Sequence, residues 1–116
     1  MQINKKDNQE IVEIENVRGG TGKIKFQHYF KKEDFTSKVR LCSCATIPPG
    51  ASIGNHTHED EDEVYVILKG SGILSDGKEE YTVEPGDAVL TKSGGSHLIR
   101  NNGSEELKFI AFIILY

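Results

Sequence analysis

No stretch of this 116-residue chain carries apolar residues at helical spacing, and 12 glycines break it into short runs. The period that does appear is two. In residues 23–30, Ile24, Phe26, His28 and Phe30 share one face, and Lys23, Lys25 and Gln27 share the other. Short β-prone runs separated by turn chemistry are the pattern of a sandwich or barrel. Strands are expected over 10–16, 23–30 and 39–47, a short segment carrying His56 and His58, 63–69, 71–75, 79–84, 88–92, 96–101 and 106–115. That makes about ten short strands and an all-β fold within one domain, 1–116. Asp76-Gly77 is expected to supply two positive-φ residues for a tight hairpin turn. The charged segment 31–38 reads as a surface connection, and residues 1–9 as loosely held. The last strand is apolar on both faces and is expected to be covered on both.

Charge and composition narrow the partners. The formal net charge is −4 and no basic run is present, so nucleic acid is not an expected partner. The N-terminus is polar and lacks the apolar stretch of a signal peptide. The longest apolar run, Phe109 to Tyr116, is too short to cross a bilayer as a helix, so no membrane role is expected. Cys42 and Cys44 stand at i and i+2, a spacing that rarely bridges, and read as free thiols in a reducing cytoplasm. They suit two small core residues on one strand face; the alternative places them beside the histidines.

His56-Thr57-His58, Glu63 and His97 form the chemical constellation of the chain. Imidazoles at i and i+2 of a strand lie on one face and can reach one point in space. If the strand carrying the pair neighbours the strand of Glu63, that carboxylate can face both rings. His97 must arrive from a distant strand, which a closed barrel permits. Three imidazoles and one carboxylate can close around a divalent Mn, Fe, Co, Ni, Cu or Zn ion, leaving about two positions of an octahedron open. Binding needs neutral imidazoles and an ionised Glu63, so affinity should fall in acid.

These residues carry a resemblance to the cupin family. The first motif of that family reads here as Gly50, five residues, His56 and His58, four residues, Glu63, six residues, Gly70. The second reads as Gly86, five residues, Lys92-Ser93-Gly94, two residues, His97, three residues, Asn101. Lys92 stands where the family usually has proline, a departure expected to loosen a turn. The resemblance covers residues 50–101, about half the chain, and implies a cupin jelly-roll β-barrel (a double-stranded β-helix) with the metal inside. It implies that His56, His58, Glu63 and His97 bind the ion. Small single-domain members are often described as oxalate-handling proteins, and the family includes decarboxylases, dioxygenases and simple binding modules.

Two readings follow: a metal-dependent enzyme, decarboxylase- or dioxygenase-like, acting on a small chelating organic acid; or a non-catalytic binding or sensor module. The enzyme needs an anion-orienting or proton-transferring residue, for which Arg40 and Tyr65 are the candidates. The chain has three arginines, Arg18, Arg40 and Arg100. Arg100 should point away from the His97 face. Arg40 would face inward if strand 39–47 turns its even positions in, carrying Cys42 and Cys44 with it; otherwise it forms a rim salt bridge. Glu59-Asp60-Glu61-Asp62 reads as a solvated loop tip that draws cations to the mouth and repels a dianion such as oxalate. His28 reads as a packed residue. Tyr65, Ile67 and Ile99 are expected to line a mostly apolar cavity. A homodimer is expected, with strand 10–16 able to cross to a partner.

Overall fold

The computed structural model describes residues 1–116. Ten strands follow in order: β1 (Ile11–Glu15), β2 (Lys23–Phe30), β3 (Val39–Ile47), β4 (Ser52–Thr57), β5 (Glu61–Lys69), β6 (Gly72–Ser75), β7 (Glu80–Val83), β8 (Ala88–Thr91), β9 (Ser96–Arg100) and β10 (Leu107–Leu115). All pairings are antiparallel. Strands β1-β2-β3-β10-β5-β8 make a six-stranded sheet and β4-β9-β6-β7 a four-stranded one. The only helical segments are short 3-10 turns at Lys6–Asn8, Val17–Gly19 and Lys32–Asp34. None is long and apolar enough to cross a membrane.

Alternation along the two longest central strands builds the interior. On β10, Leu107, Phe109, Ala111 and Ile113 are buried, and on β5, Glu61, Glu63, Tyr65 and Ile67 are buried. Ile53, Leu74 and Ile99 of the four-stranded sheet meet Ile24, Ile47, Ile67 and Phe109 of the larger sheet in one core cluster. Each such side chain contributes about 1.5–3 kcal/mol on burial. The result is the all-β jelly-roll barrel that the motifs implied.

Several local expectations need correction. β5 begins at Glu61, not Glu63, so the acidic run is only half a loop. The outer face of β10 is covered only in part: Phe35 packs edge-on against Phe112, with ring centroids 6.3 Å apart, while Ile114 is exposed. Segment 31–38 is the expected surface connection, exposed except at Phe35, which also meets Phe30. In the hairpin, Gly77 alone has positive φ; Asp76 instead accepts the Lys78 and Glu79 N–H groups at 2.9 Å through Oδ1. Residues 1–9 are tied to β2: the Asn4 amide donates to Tyr29 O at 2.8 Å, and Gln27 donates to Gln9 at 2.8 Å.

Asn101, the last residue of the second motif, is structural. Its buried amide donates to Ile47 O (2.8 Å) and Glu105 O (2.7 Å), and its Oδ1 accepts the Gly103 N–H (2.9 Å). Its backbone exchanges hydrogen bonds with Gly50 and Ala51, which joins the ends of the two motifs.

Candidate metal centre

The three histidines and Glu63 come together, by a route different from the one their spacing suggested. β4 and β9 are neighbours, and His56 stands directly opposite His97. Glu63 reaches them from β5, in the other sheet. The distant partner is therefore the carboxylate, not His97. His58 lies just beyond β4, where its N–H donates to Gly95 O at 3.0 Å and its carbonyl accepts the Gly94 N–H at 2.6 Å. The turn at Lys92 is closed by the Gly95 N–H donating to Lys92 O at 2.9 Å, so lysine in place of proline leaves the turn formed.

All three rings are held from their outer nitrogens. His56 Nδ1 donates to Gly54 O at 2.8 Å, and His58 Nδ1 donates to Glu61 Oε1 at 2.7 Å. His97 Nδ1 lies 2.9 Å from Thr91 Oγ1. A carbonyl and a carboxylate only accept, so His56 and His58 carry their protons on Nδ1 and leave Nε2 bare. The Nε2 atoms converge: His97 Nε2 is 3.1 Å from that of His56 and 3.0 Å from that of His58. Glu63 Oε1 lies 2.8 Å from His58 Nε2 and 3.0 Å from His97 Nε2, buried and without a hydrogen-bond partner. One ligand atom from each of the four residues falls within 4.8 Å of the others. Two bare imidazole nitrogens and His97 Nε2, gathered around a buried carboxylate oxygen that has no hydrogen-bond partner, fit a cation. Burial also holds the His56 imidazole below the ordinary histidine value, favouring its neutral, ligating form.

Glu61 is the residue that spacing alone did not single out. It is buried, and its carboxylate accepts from Arg40 Nε and a terminal guanidinium nitrogen, both at 2.9 Å. Those Arg40 hydrogen bonds hold its carboxyl down to about 2. The expectation of a solvated, cation-drawing run fails at Glu61, and none of residues 59–62 lines the cavity. The available signal was period two: Glu61 precedes Glu63 by two positions and shares its face. Thr91 stands opposite Glu63 on β8, and neither motif includes it.

Arg40 borders the cavity from its rim, half-exposed and paired with Glu61, which is the rim salt bridge rather than the even-inward register. A register shift between Ile113 and Ile114 leaves Arg40 as the extra residue in β3. Leu41 and Ala45 then face inward, while Cys42 and Cys44 are free thiols beside Tyr29 on the opposite face. Burial raises the Cys42 thiol, keeping it protonated. Arg100 pairs with Glu80 at 2.9 Å on the surface, directed away from the histidines.

Beside the cluster lies a cavity of about 200 Å³. Its wall includes His56, His58, Glu63 and Tyr65, together with Arg18 and Arg40, and its remaining lining is mostly apolar. Tyr65 stacks on His97, with centroids 5.1 Å apart and 19° between planes. Burial, then the neighbouring Glu63 charge, push its hydroxyl well above the usual phenol value, so it stays protonated. His28 lines the cavity too, with Nδ1 hydrogen-bonded to the buried Ser43 hydroxyl. Ile67 and Ile99 are core residues and do not line the cavity.

Comparison with known proteins agrees with this architecture. The family model described as the cupin domain matches residues 44–113. The chain belongs to the cupin family. This cupin is 43% identical over 102 residues to the oxalate-binding protein of Thermotoga maritima, covering 88% of this chain and 84% of that protein. It superimposes on a crystal structure from Thermotoga maritima described as a predicted oxalate decarboxylase with a TM-score of 0.93, at 39% identity and with full coverage of both chains. KdgF from Halomonas sp. shares the fold alone, at a TM-score of 0.76 and 17% identity over 99% of this chain and 96% of that one.

Proposed function

We propose that this cupin binds a divalent transition metal through His56, His58, Glu63 and His97 and uses the open positions to bind a small chelating carboxylate. The observation that carries the proposal is the convergence of outward-anchored imidazoles on the unpartnered Glu63 oxygen, beside a cavity of about 200 Å³. That volume is below the roughly 300–1,000 Å³ of pockets for drug-sized ligands, and it suits an acid of a few heavy atoms. Oxalate is the first compound to test, because a relative sharing 43% identity is an oxalate-binding protein. A bound ion would act as a Lewis acid that accepts carboxylate oxygens. His56, His58 and His97 would hold it as neutral Nε2 donors, and Glu63 would offset part of its charge.

Binding is favoured over decarboxylation or dioxygenation by the composition of the wall. Glu63 is the only carboxylate lining the cavity, and it is a proposed metal ligand. Arg40 is already engaged by Glu61, and Tyr65 is a phenol held protonated. An enzyme would have to draw its acid or base from His28 or Tyr65. Calorimetric titration of oxalate into metal-reconstituted and chelator-treated protein tests the proposal. Saturable binding only with metal is expected, and equal binding in both forms contradicts it. The proposal includes a homodimer, supported by the exposed Ile11 and Ile14 on edge strand β1. Light scattering at micromolar concentration checks this, and a monomer would contradict it.

A further inference from the structure

Arg18 differs from the other two arginines. Arg40 and Arg100 each direct two guanidinium nitrogens at a carboxylate, Glu61 and Glu80 respectively. Arg18 makes no ion pair or side-chain hydrogen bond within the chain, yet it lines the same cavity as His56, His58 and Glu63. A guanidinium is a fork of N–H donors matched to the two oxygens of a carboxylate. Arg18 is exposed to solvent, and no carboxylate of the chain occupies its fork.

The backbone holds Arg18 there against its own preference. Arg18 has φ 53° and ψ 33°, and Asn16 has φ 56° and ψ 47°, both in the left-handed region that side chains other than Gly and Asn rarely occupy. The conformation is fixed by seating the loop on β4. A Cβ built at Gly54 would meet Arg18 O at 2.2 Å, and one at Gly20 would meet Ser52 O at 2.2 Å. The Ser52 N–H donates to Thr21 O at 2.9 Å, and the Thr21 N–H to Ser52 Oγ at 3.0 Å. Gly54, on which the loop rests, is also the residue whose carbonyl orients His56. One short stretch of β4 therefore positions both a proposed metal ligand and the Arg18 loop.

We infer that Arg18 is the specificity-determining residue for the anion, binding the outward carboxylate oxygens of a small dicarboxylate whose inner oxygens occupy the metal. This rests on the binding reading above. It predicts a preference for a dianion over its monoanionic amide. Arg18 offsets the expected repulsion of a dianion, since none of residues 59–62 lines the cavity and Arg18 is its one guanidinium not already paired with a carboxylate.

The test compares wild type, Arg18→Asn and Arg18→Lys, each loaded with cobalt(II), by titration with oxalate and with oxamate. Asparagine tolerates the left-handed backbone, so the loop can keep its conformation. Arg18→Asn should retain cobalt affinity within about twofold and weaken oxalate binding tenfold or more, with oxamate much less affected. Arg18→Lys should recover part of the loss through its charge. Cobalt-loaded Arg18→Asn that binds oxalate as wild type does overturns the inference about Arg18 and leaves the binding reading standing. Cobalt-loaded wild type that binds no oxalate overturns both. Equal weakening toward oxalate and oxamate also overturns the inference, because it assigns Arg18 no role at the second carboxylate.

Discussion

The inward face of β5 changes character halfway along its length. Glu61 and Glu63 occupy one end; Tyr65 and Ile67 occupy the other. Both ends are buried and belong to the same alternating strand. At the apolar end, burial itself is favourable, and Ile67 and Phe109 pack with Ile47 and Ile99 without directional demands. At the polar end, burial is unfavourable unless each group finds a partner. Here the partners satisfy the outer atoms (Gly54, Glu61 and Thr91 toward the rings, Arg40 toward Glu61) and leave the inner atoms unmet. One end of the barrel secures the fold, while the other gathers buried polar groups and leaves Glu63 Oε1 without a partner in the chain.

At the apolar end, truncation should act on stability. Phe109→Ala should lower stability by about 3–5 kcal/mol, the usual range for a fully buried phenylalanine. Denaturant melting of the metal-free protein would measure it, and the metal affinity of molecules that remain folded should stay within a few-fold of wild type. Asn101→Ala should cost roughly 1–3 kcal/mol, because it leaves the buried carbonyl of Ile47 without its donor. It too should spare metal affinity per folded molecule, which would separate the motif's structural residue from its proposed ligands.

At the polar end the effects should run the other way. Glu61→Gln keeps an acceptor for His58 but removes the charge, and should weaken metal binding by about 10–100-fold with a smaller effect on metal-free stability. Competition with a chromophoric chelator would read it. Arg40→Gln should give the smallest change, about tenfold or less, since Glu61 keeps its contact to His58 and loses only the group that holds it. A larger loss for Arg40→Gln than for Glu61→Gln would contradict the order in which these residues reach the metal site.

The apolar end was the more legible in the sequence. Period-two alternation in residues 23–30 and 63–69 located strands and their faces, because side-chain alternation is a local property. The candidate metal-ligating residues were legible for a similar reason: His56, His58, Glu63 and His97 sit at spacings that survive as motifs. Sheet membership was not. Whether Glu63 or His97 neighbours the His56 strand depends on which strands pair, and pairing is decided by the whole chain. The β-bulge that leaves Arg40 as an extra residue at the cavity rim is a mismatch between β3 and β10, visible only once both are aligned. Glu61 was hidden by its acidic neighbours, although it shares a face with Glu63. Arg18 was hidden in a glycine-rich loop whose seat on β4 has no sequence period.

The most direct measurement is metal stoichiometry. Wild type and His58→Ala would each be reconstituted with one divalent metal at a time, desalted and analysed for bound ion. The four-ligand account predicts close to one ion per wild-type chain and a large loss in His58→Ala, with both proteins folded by circular dichroism. It also predicts that metal at a hundred times Kd stabilises wild type against unfolding by about 2.7 kcal/mol and leaves the variant nearly unchanged. Wild type that takes up no metal, or His58→Ala that holds as much as wild type, would contradict the account.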